Sequence, residues 1–106
     1  MSQKINLIQN DNNIKLIFNI TKDGRVESII GATILLELKN TQSGKVISNQ
    51  CVITDPTTAE CMYILKSSDT SEAGGYISEI TITYSNGTVL RENNPIILII
   101  APQSIL

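Results

Sequence analysis

The clearest pattern in this chain is the alternation of apolar and polar residues over 14–39, which reads IKLIFNITKDGRVESIIGATILLELK. Two alternating runs stand on either side of a Lys-Asp-Gly turn. Because successive side chains of a strand point to opposite faces, each run predicts a strand with one buried face. Phe18 and Leu36 fall on the apolar sides of their runs. We therefore expect both side chains in the core.

Turn-forming residues divide the rest of the chain into similar short segments. Further strands are predicted over 5–9, 45–53, 61–65, 76–84, 89–92 and 96–101. The segment 45–53 is the more polar one, which indicates an edge strand. About seven to eight short strands with no helical pattern between them are typical of a β-sandwich. The predicted fold is a single all-β antiparallel sandwich domain over 1–106.

Two local motifs add detail to this prediction. Asn86 and Gly87 stand between alternating segments, and Asn-Gly in that setting favours a two-residue type I′ hairpin. Tyr76 follows Gly74 and Gly75 at the start of the most regular segment. That position is typical of a tyrosine corner, in which the phenol bonds to backbone a few residues upstream. We name Gly75, Tyr76, Asn86 and Gly87 as structural residues, together with Phe18 and Leu36.

Composition and charge exclude several classes of partner. The net charge is −2, which offers no basic face for nucleic acid. The longest apolar run, IILIIA at 96–101, is far shorter than the roughly 20 residues that a membrane span needs. The amino-terminal residues MSQKINLIQNDNN lack the apolar region and cleavage site of a secretory signal. We expect neither nucleic-acid binding nor membrane insertion, and synthesis in the cytoplasm.

Residues that could support catalysis or metal binding are scarce. The chain has no histidine, so no imidazole base and no Ser-His-Asp arrangement can form. Two oxygen-rich segments, 10–13 and 91–94, each contain a single carboxylate, whereas calcium takes six to eight oxygen ligands. Solvated turns explain both segments better. We therefore predict a protein that is not an enzyme and holds no cofactor or metal.

Cys51 and Cys61 are the two cysteines of the chain. They lie symmetrically about Pro56, so a hairpin centred there would set them opposite each other and make a disulfide geometrically feasible. The alternative, which we favour, is that both are small buried thiols in a protein made in a reducing compartment.

The order of the segments resembles one known family. It runs IKLIFNITKDG, GATILLELK, ITD at 53–55, CMYIL at 61–65, GGYISEITITY at 74–84, an Asn-Gly hairpin and a closing apolar strand. This order is similar to that of the amino-terminal immunoglobulin-like domain of phage baseplate upper proteins, over about residues 5–101. The resemblance implies an immunoglobulin-like sandwich that serves as a structural or adaptor module of a phage or prophage tail baseplate.

Three functions remain open at this point. The resemblance implies contacts with other tail or baseplate subunits, self-association being an alternative, and a location in the virion tail. A bacterial cell-surface immunoglobulin-like module and a carbohydrate-binding module are the alternatives, although the chain has no Trp for a sugar platform. We expect an accessible strand edge at 45–50. A neighbouring subunit is expected to cover the apolar strand 96–101, with Ile97, Ile99 and Ile105.

Overall fold

The computed structural model describes residues 3–22, 25–26, 29–93 and 96–103, which form strands, turns and loops without a helix. The strands are β1 (Gln3–Ile8), β2 (Ile14–Asn19), β3 (Thr21–Lys22), β4 (Arg25–Val26), β5 (Thr33–Asn40), β6 (Val46–Gln50), β7 (Val52–Asp55), β8 (Glu60–Leu65), β9 (Gly74–Thr83), β10 (Val89–Asn93) and β11 (Ile96–Ala101).

The strands form two facing sheets. The large sheet has the order β1-β11-β9-β5-β6, with β10 also paired to β9, and the small sheet has the order β2-β8-β7. The β1–β11 pair is parallel, and the other pairs within the two sheets are antiparallel. A separate two-stranded ribbon joins β3 to β4. This is the strand order of an immunoglobulin-like sandwich, and the predicted fold class is confirmed.

One contiguous core lies between the sheets. Strand β5 alternates strictly, with Ile34, Leu36 and Leu38 buried, and β2 contributes the buried Leu16 and Phe18. The alternation follows from the two-residue period of a strand, since one face meets the opposite sheet and the other meets solvent. Phe18 and Leu36 therefore occupy the core positions predicted for them.

The predicted single strand over 45–53 is wrong, because the chain changes sheets at Cys51. The Cys51 amide donates to the Ile34 carbonyl at 2.8 Å, which makes it the last rung between this segment and β5. The next residue, Val52, pairs with Met62 in the small sheet. Alternation in the sequence does not reveal this change of sheet. The side chains on either side of Cys51 continue to alternate between core and solvent, and only the strand to which the backbone bonds is different.

The turn between β9 and β10 is a hairpin of a different class from the one predicted. Gly87 has φ of 89°, but Asn86 is not among the residues with positive φ, as a type I′ turn would require. The Gly87 amide donates to the Tyr84 carbonyl at 2.9 Å, and the Tyr84 amide donates to Thr88 at 2.8 Å. A turn with negative φ at its centre followed by a left-handed glycine is the three-residue hairpin with a glycine bulge.

The apolar strand β11 needs no neighbouring subunit to pair its edges. It lies between β9 and β1, with Leu98 opposite Tyr76 on one side and Ile5 on the other. Ile97 and Ile99 are half-buried. The backbone of this strand is therefore paired on both sides, the cover expected over Ile97 and Ile99 stays a prediction, and Ile105 lies outside the described residues.

Candidate functional site

Tyr76 anchors the loop that precedes β9. Its side chain is buried, and its hydroxyl donates to the Glu72 carbonyl oxygen at 2.7 Å. The acceptor lies four residues upstream in the sequence, as in the tyrosine corner that the sequence predicts. This hydrogen bond holds the loop between β8 and β9, which connects the small sheet to the large sheet, against the core.

The glycine with a steric requirement is Gly74. Its φ is +140°, and a Cβ built there would lie 2.8 Å from Nδ2 of Asn40. A Cβ on Gly75 would meet only Thr41 Oγ1, at an ordinary 3.7 Å. The position of Gly75 instead matters through its carbonyl, which accepts the Thr41 amide at 2.9 Å.

Asn40 is a buried polar residue that sequence reasoning missed. Its Oδ1 accepts the amides of Gln42 and Ser43 at 2.9 and 3.1 Å, and its Nδ2 donates to the Ala73 carbonyl at 3.4 Å. The side chain thus joins the β5–β6 turn to the loop before β9. An Asn that ends an alternating strand is a signal for such a cap, but its distant partner cannot be read from the sequence.

The two thiols are free and buried. Ile53, and not Cys51, pairs with Cys61, because the turn lies between Asp55 and Glu60 and is not centred on Pro56. Burial raises the pKa of Cys51 to about 12, with a further contribution from Cys61. Burial likewise raises the pKa of Cys61 to about 11. The thiolate is the reactive form, so both groups are unreactive at neutral pH.

The described residues of the two oxygen-rich segments have different partners in the fold. Asp11 Oδ2 accepts the Ile8 amide and Asn12 Oδ1 accepts the Ser67 amide of the loop after β8, each at 3.0 Å, so both oxygens are satisfied by backbone amides. Arg91 and Glu92 instead pair along β9 with Thr81 and Ile80. Among the described residues, no group of three acidic, cysteine or histidine side chains could hold a metal ion.

A polar groove of about 300 Å³ opens beside the point where the chain changes sheets. Its lining residues are Asn49, Gln50, Tyr63, Ile64, Lys66, Ser68 and Asp69. The Tyr63 hydroxyl accepts from Asn49 Nδ2 at 2.9 Å and donates to Asp69 Oδ2 at 3.0 Å. Burial, and then the hydrogen bond to Asp69, raises the pKa of Tyr63 to about 12. The phenol is thus neutral over the physiological range and rigidly placed.

An apolar row crosses the outer face of the small sheet. Met62 pairs with Ile17 on one side and with Val52 on the other, so the three side chains lie in line across β2, β8 and β7. Ile17 is 51% exposed and Val52 is 60% exposed. We call these three residues the small-sheet row.

The fold, with this strand order and this tyrosine corner, defines an immunoglobulin-like β-sandwich domain. A family model described as the BppU N-terminal domain matches residues 1–97. The chain therefore belongs to this family, the amino-terminal domain of phage baseplate upper proteins. Membership implies a virion tail component that associates with other phage tail proteins. A comparison with curated proteins found none that matches.

The described part of the chain contains no helix that could cross a membrane.

Proposed function

We propose that this chain is a non-enzymatic adaptor module of a phage or prophage baseplate, made in the cytoplasm of the host bacterium, that acts through protein–protein contacts. The observation that carries the proposal is the small-sheet row. Three large apolar side chains in line across a whole sheet face are more than a scatter of single exposed residues. Such a face is stabilised when another protein covers it.

The charges around the row favour a protein partner over a charged surface. Lys15 lies two residues before Ile17 in β2, and Glu60 lies two residues before Met62 in β8. Apolar residues with a polar rim of both signs are typical of protein interfaces.

The test uses the full chain co-expressed with the baseplate proteins of the same phage. We expect the chain to elute with them in size-exclusion chromatography and to appear in the particles by electron microscopy. Val52→Glu should weaken this association, because it places a charge in the small-sheet row. Val89→Glu is the matched control, since Val89 is also exposed, at 45%, but lies on β10 of the other sheet.

Two results would contradict the proposal. The first is failure of the wild-type chain to enter any complex with these proteins. The second is specific micromolar binding of a cell-wall polysaccharide by the isolated chain, which would favour a carbohydrate-binding module.

A further inference from the structure

Strand β6 presents an unpaired edge of the large sheet. The Asn40 amide donates to Lys45 and the Cys51 amide donates to Ile34, each at 2.8 Å. Hydrogen-bonded pairs alternate in an antiparallel ladder, so residues 45, 47, 49 and 51 bond to β5. The N–H and C=O groups of Val46, Ser48 and Gln50 consequently point away from β5.

This edge lacks the features that usually prevent strand addition. Natural edge strands are protected by charged residues, proline, bulges or a covering segment. Among the strands that the structure describes, the other edges of the two sheets each include a charged residue: Lys4 in β1, Lys15 in β2, Asp55 in β7, and Arg91 and Glu92 in β10. Strand β6, with the sequence VISNQ, contains neither charge nor proline.

The polar groove lies at the carboxyl end of this edge. The Ile20 amide donates to Ala59 at 2.9 Å, which by the same alternation directs residues 60, 62 and 64 towards β7. Met62 pairs with Val52 there. Ile64 has no partner in β7, because β7 begins at Val52 and the residues before Cys51 belong to the large sheet. The groove is therefore the gap left by this crossing, with Ile64 on one side and Asn49 and Gln50 on the other.

We propose that the β6 edge and the polar groove together form a docking site for an extended segment of another baseplate polypeptide. The segment pairs with Val46, Ser48 and Gln50 and places a polar side chain in the groove. Main-chain hydrogen bonds supply affinity in such strand addition, and side-chain pockets supply specificity. This inference rests on the proposed adaptor function and names one of the surfaces through which it acts.

The spacing of the edge groups selects a polypeptide as the ligand. Successive outward-facing residues of β6 are about 7 Å apart, which is two residues of an extended antiparallel strand. Only another extended backbone offers donors and acceptors at that repeat. Side chains that alternate with the pairing positions point to the inner side, where Asn49 borders the groove.

A second copy of β6 does not fit this site. The β6 side chains of such a copy that would point towards the groove are the inward-facing ones, Ile47 and Asn49. Ile47 is only 7% exposed, because it packs in the core of its own domain. Asn49 is bonded to its own Tyr63 at 2.9 Å. A copy paired through β6 would therefore leave the groove unfilled, whereas a free extended segment can fill it.

The first test uses the full chain co-expressed with the baseplate proteins of the same phage. Ser48→Pro removes an N–H that points away from β5, so the domain keeps its own ladder while the added strand loses a partner. Ser68→Arg fills the groove without changing β6. We expect each variant to lower the amount of chain recovered in the complex by about tenfold or more.

Val89→Pro is the matched control. The Tyr84 amide bonds to Thr88, so by the same alternation the Val89 N–H points away from β9, and the Val89 side chain is 45% exposed. This variant places the same residue type on another edge of the large sheet, outside the small-sheet row, and its recovery in the complex should equal that of the wild-type chain.

The second test measures amide hydrogen exchange in the wild-type chain, so it does not depend on how a variant folds. Amides of Val46, Ser48 and Gln50 should exchange rapidly in the free chain and slow by about tenfold or more in the complex. Amides of Ile47 and Asn49 should be protected in both states, because they bond to β5.

The outcomes separate this inference from the function on which it rests. If the wild-type chain enters the complex but the three edge amides exchange as fast as in the free chain, the docking site is wrong and the adaptor function stands. A β6-dependent dimer of the isolated chain, disrupted by Ser48→Pro, would show that a second copy is the occupant and overturn the proposal. If the wild-type chain enters no complex, both proposals fail.

Discussion

At the scale of single residues, removal of the Tyr76 hydroxyl tests how much the tyrosine corner stabilises the domain. Tyr76→Phe leaves the ring in the core and removes the 2.7 Å hydrogen bond to Glu72. We expect a loss of about 1 kcal/mol in the free energy of unfolding, measured by urea denaturation.

Tyr84→Phe is the control for this substitution. Tyr84 is half-buried and packs against the same core, but no side-chain hydrogen bond of its hydroxyl is seen among the described residues. Its denaturation midpoint should stay within error of the wild type. Equal midpoints for wild type and Tyr76→Phe would show that the corner contributes nothing to stability.

The neighbouring glycines offer a second comparison at this scale. Gly74→Ala places a Cβ 2.8 Å from Asn40 Nδ2 in a backbone with φ of +140°. We expect it to destabilise the domain by about 1–3 kcal/mol, the usual cost of such a conformation.

Gly75→Ala meets only an ordinary contact and no backbone strain. It should leave stability unchanged or raise it slightly by restricting the unfolded chain. Thermal unfolding of both variants checks the pair. A larger loss for Gly75→Ala than for Gly74→Ala would contradict the assignment of the steric requirement.

At the scale of elements, the pairing of β5 with β9 contains an unfavourable contact. Glu37 lies directly opposite Glu79 on the outer face, and like charges at opposite positions destabilise a sheet. Arg91 offsets part of this repulsion through a 3.7 Å contact with Glu79. The repulsion is screened but not removed, since these side chains are partly exposed.

Glu37→Gln should therefore raise the free energy of unfolding by roughly 0.2–1 kcal/mol. The gain should shrink in 1 M NaCl, where the repulsion is already screened. Urea denaturation at low and high salt measures both effects. Lower stability of Glu37→Gln at low salt would show that the Glu37–Glu79 contact is not repulsive.

The elements also show what a sequence can and cannot predict. Alternation correctly indicated which face of β2, β5 and β9 is buried, because that property depends only on the two-residue period and on burial. It did not indicate the crossing at Cys51 or the parallel pairing of β1, because a strand's partner is set by distant segments. The Asn86-Gly87 hairpin was located, but its turn class depends on the backbone conformation of Asn86, which both turn classes allow.

The candidate site was predictable to a similar extent. The polar character of β6 indicated an edge. The groove beside it depends on Tyr63, Lys66 and Asp69 meeting Asn49 across two sheets. No local sequence motif predicts this contact between distant residues, because it results from the change of sheet at Cys51.

At the scale of the whole molecule, stability should fall at alkaline pH. The pKa values of Cys51 and Tyr63 are raised to about 12 and that of Cys61 to about 11, each chiefly by burial. In each case the native state holds its proton more tightly than the unfolded state does. The stabilisation is therefore fully present below the unfolded pKa values, near 9 for the thiols, and is lost as the pH rises towards the folded values.

We expect the urea midpoint, measured with reductant present, to decline from pH 9 to pH 11. Cys51→Ala removes one of the three groups while leaving every lysine and arginine in place, so its midpoint should decline less steeply over the same interval. The difference between the two slopes isolates the buried thiol from the general titration of surface charge. Parallel slopes for the two proteins would show that Cys51 loses its proton at the same pH in the folded and the unfolded protein, and hence that burial does not raise its pKa.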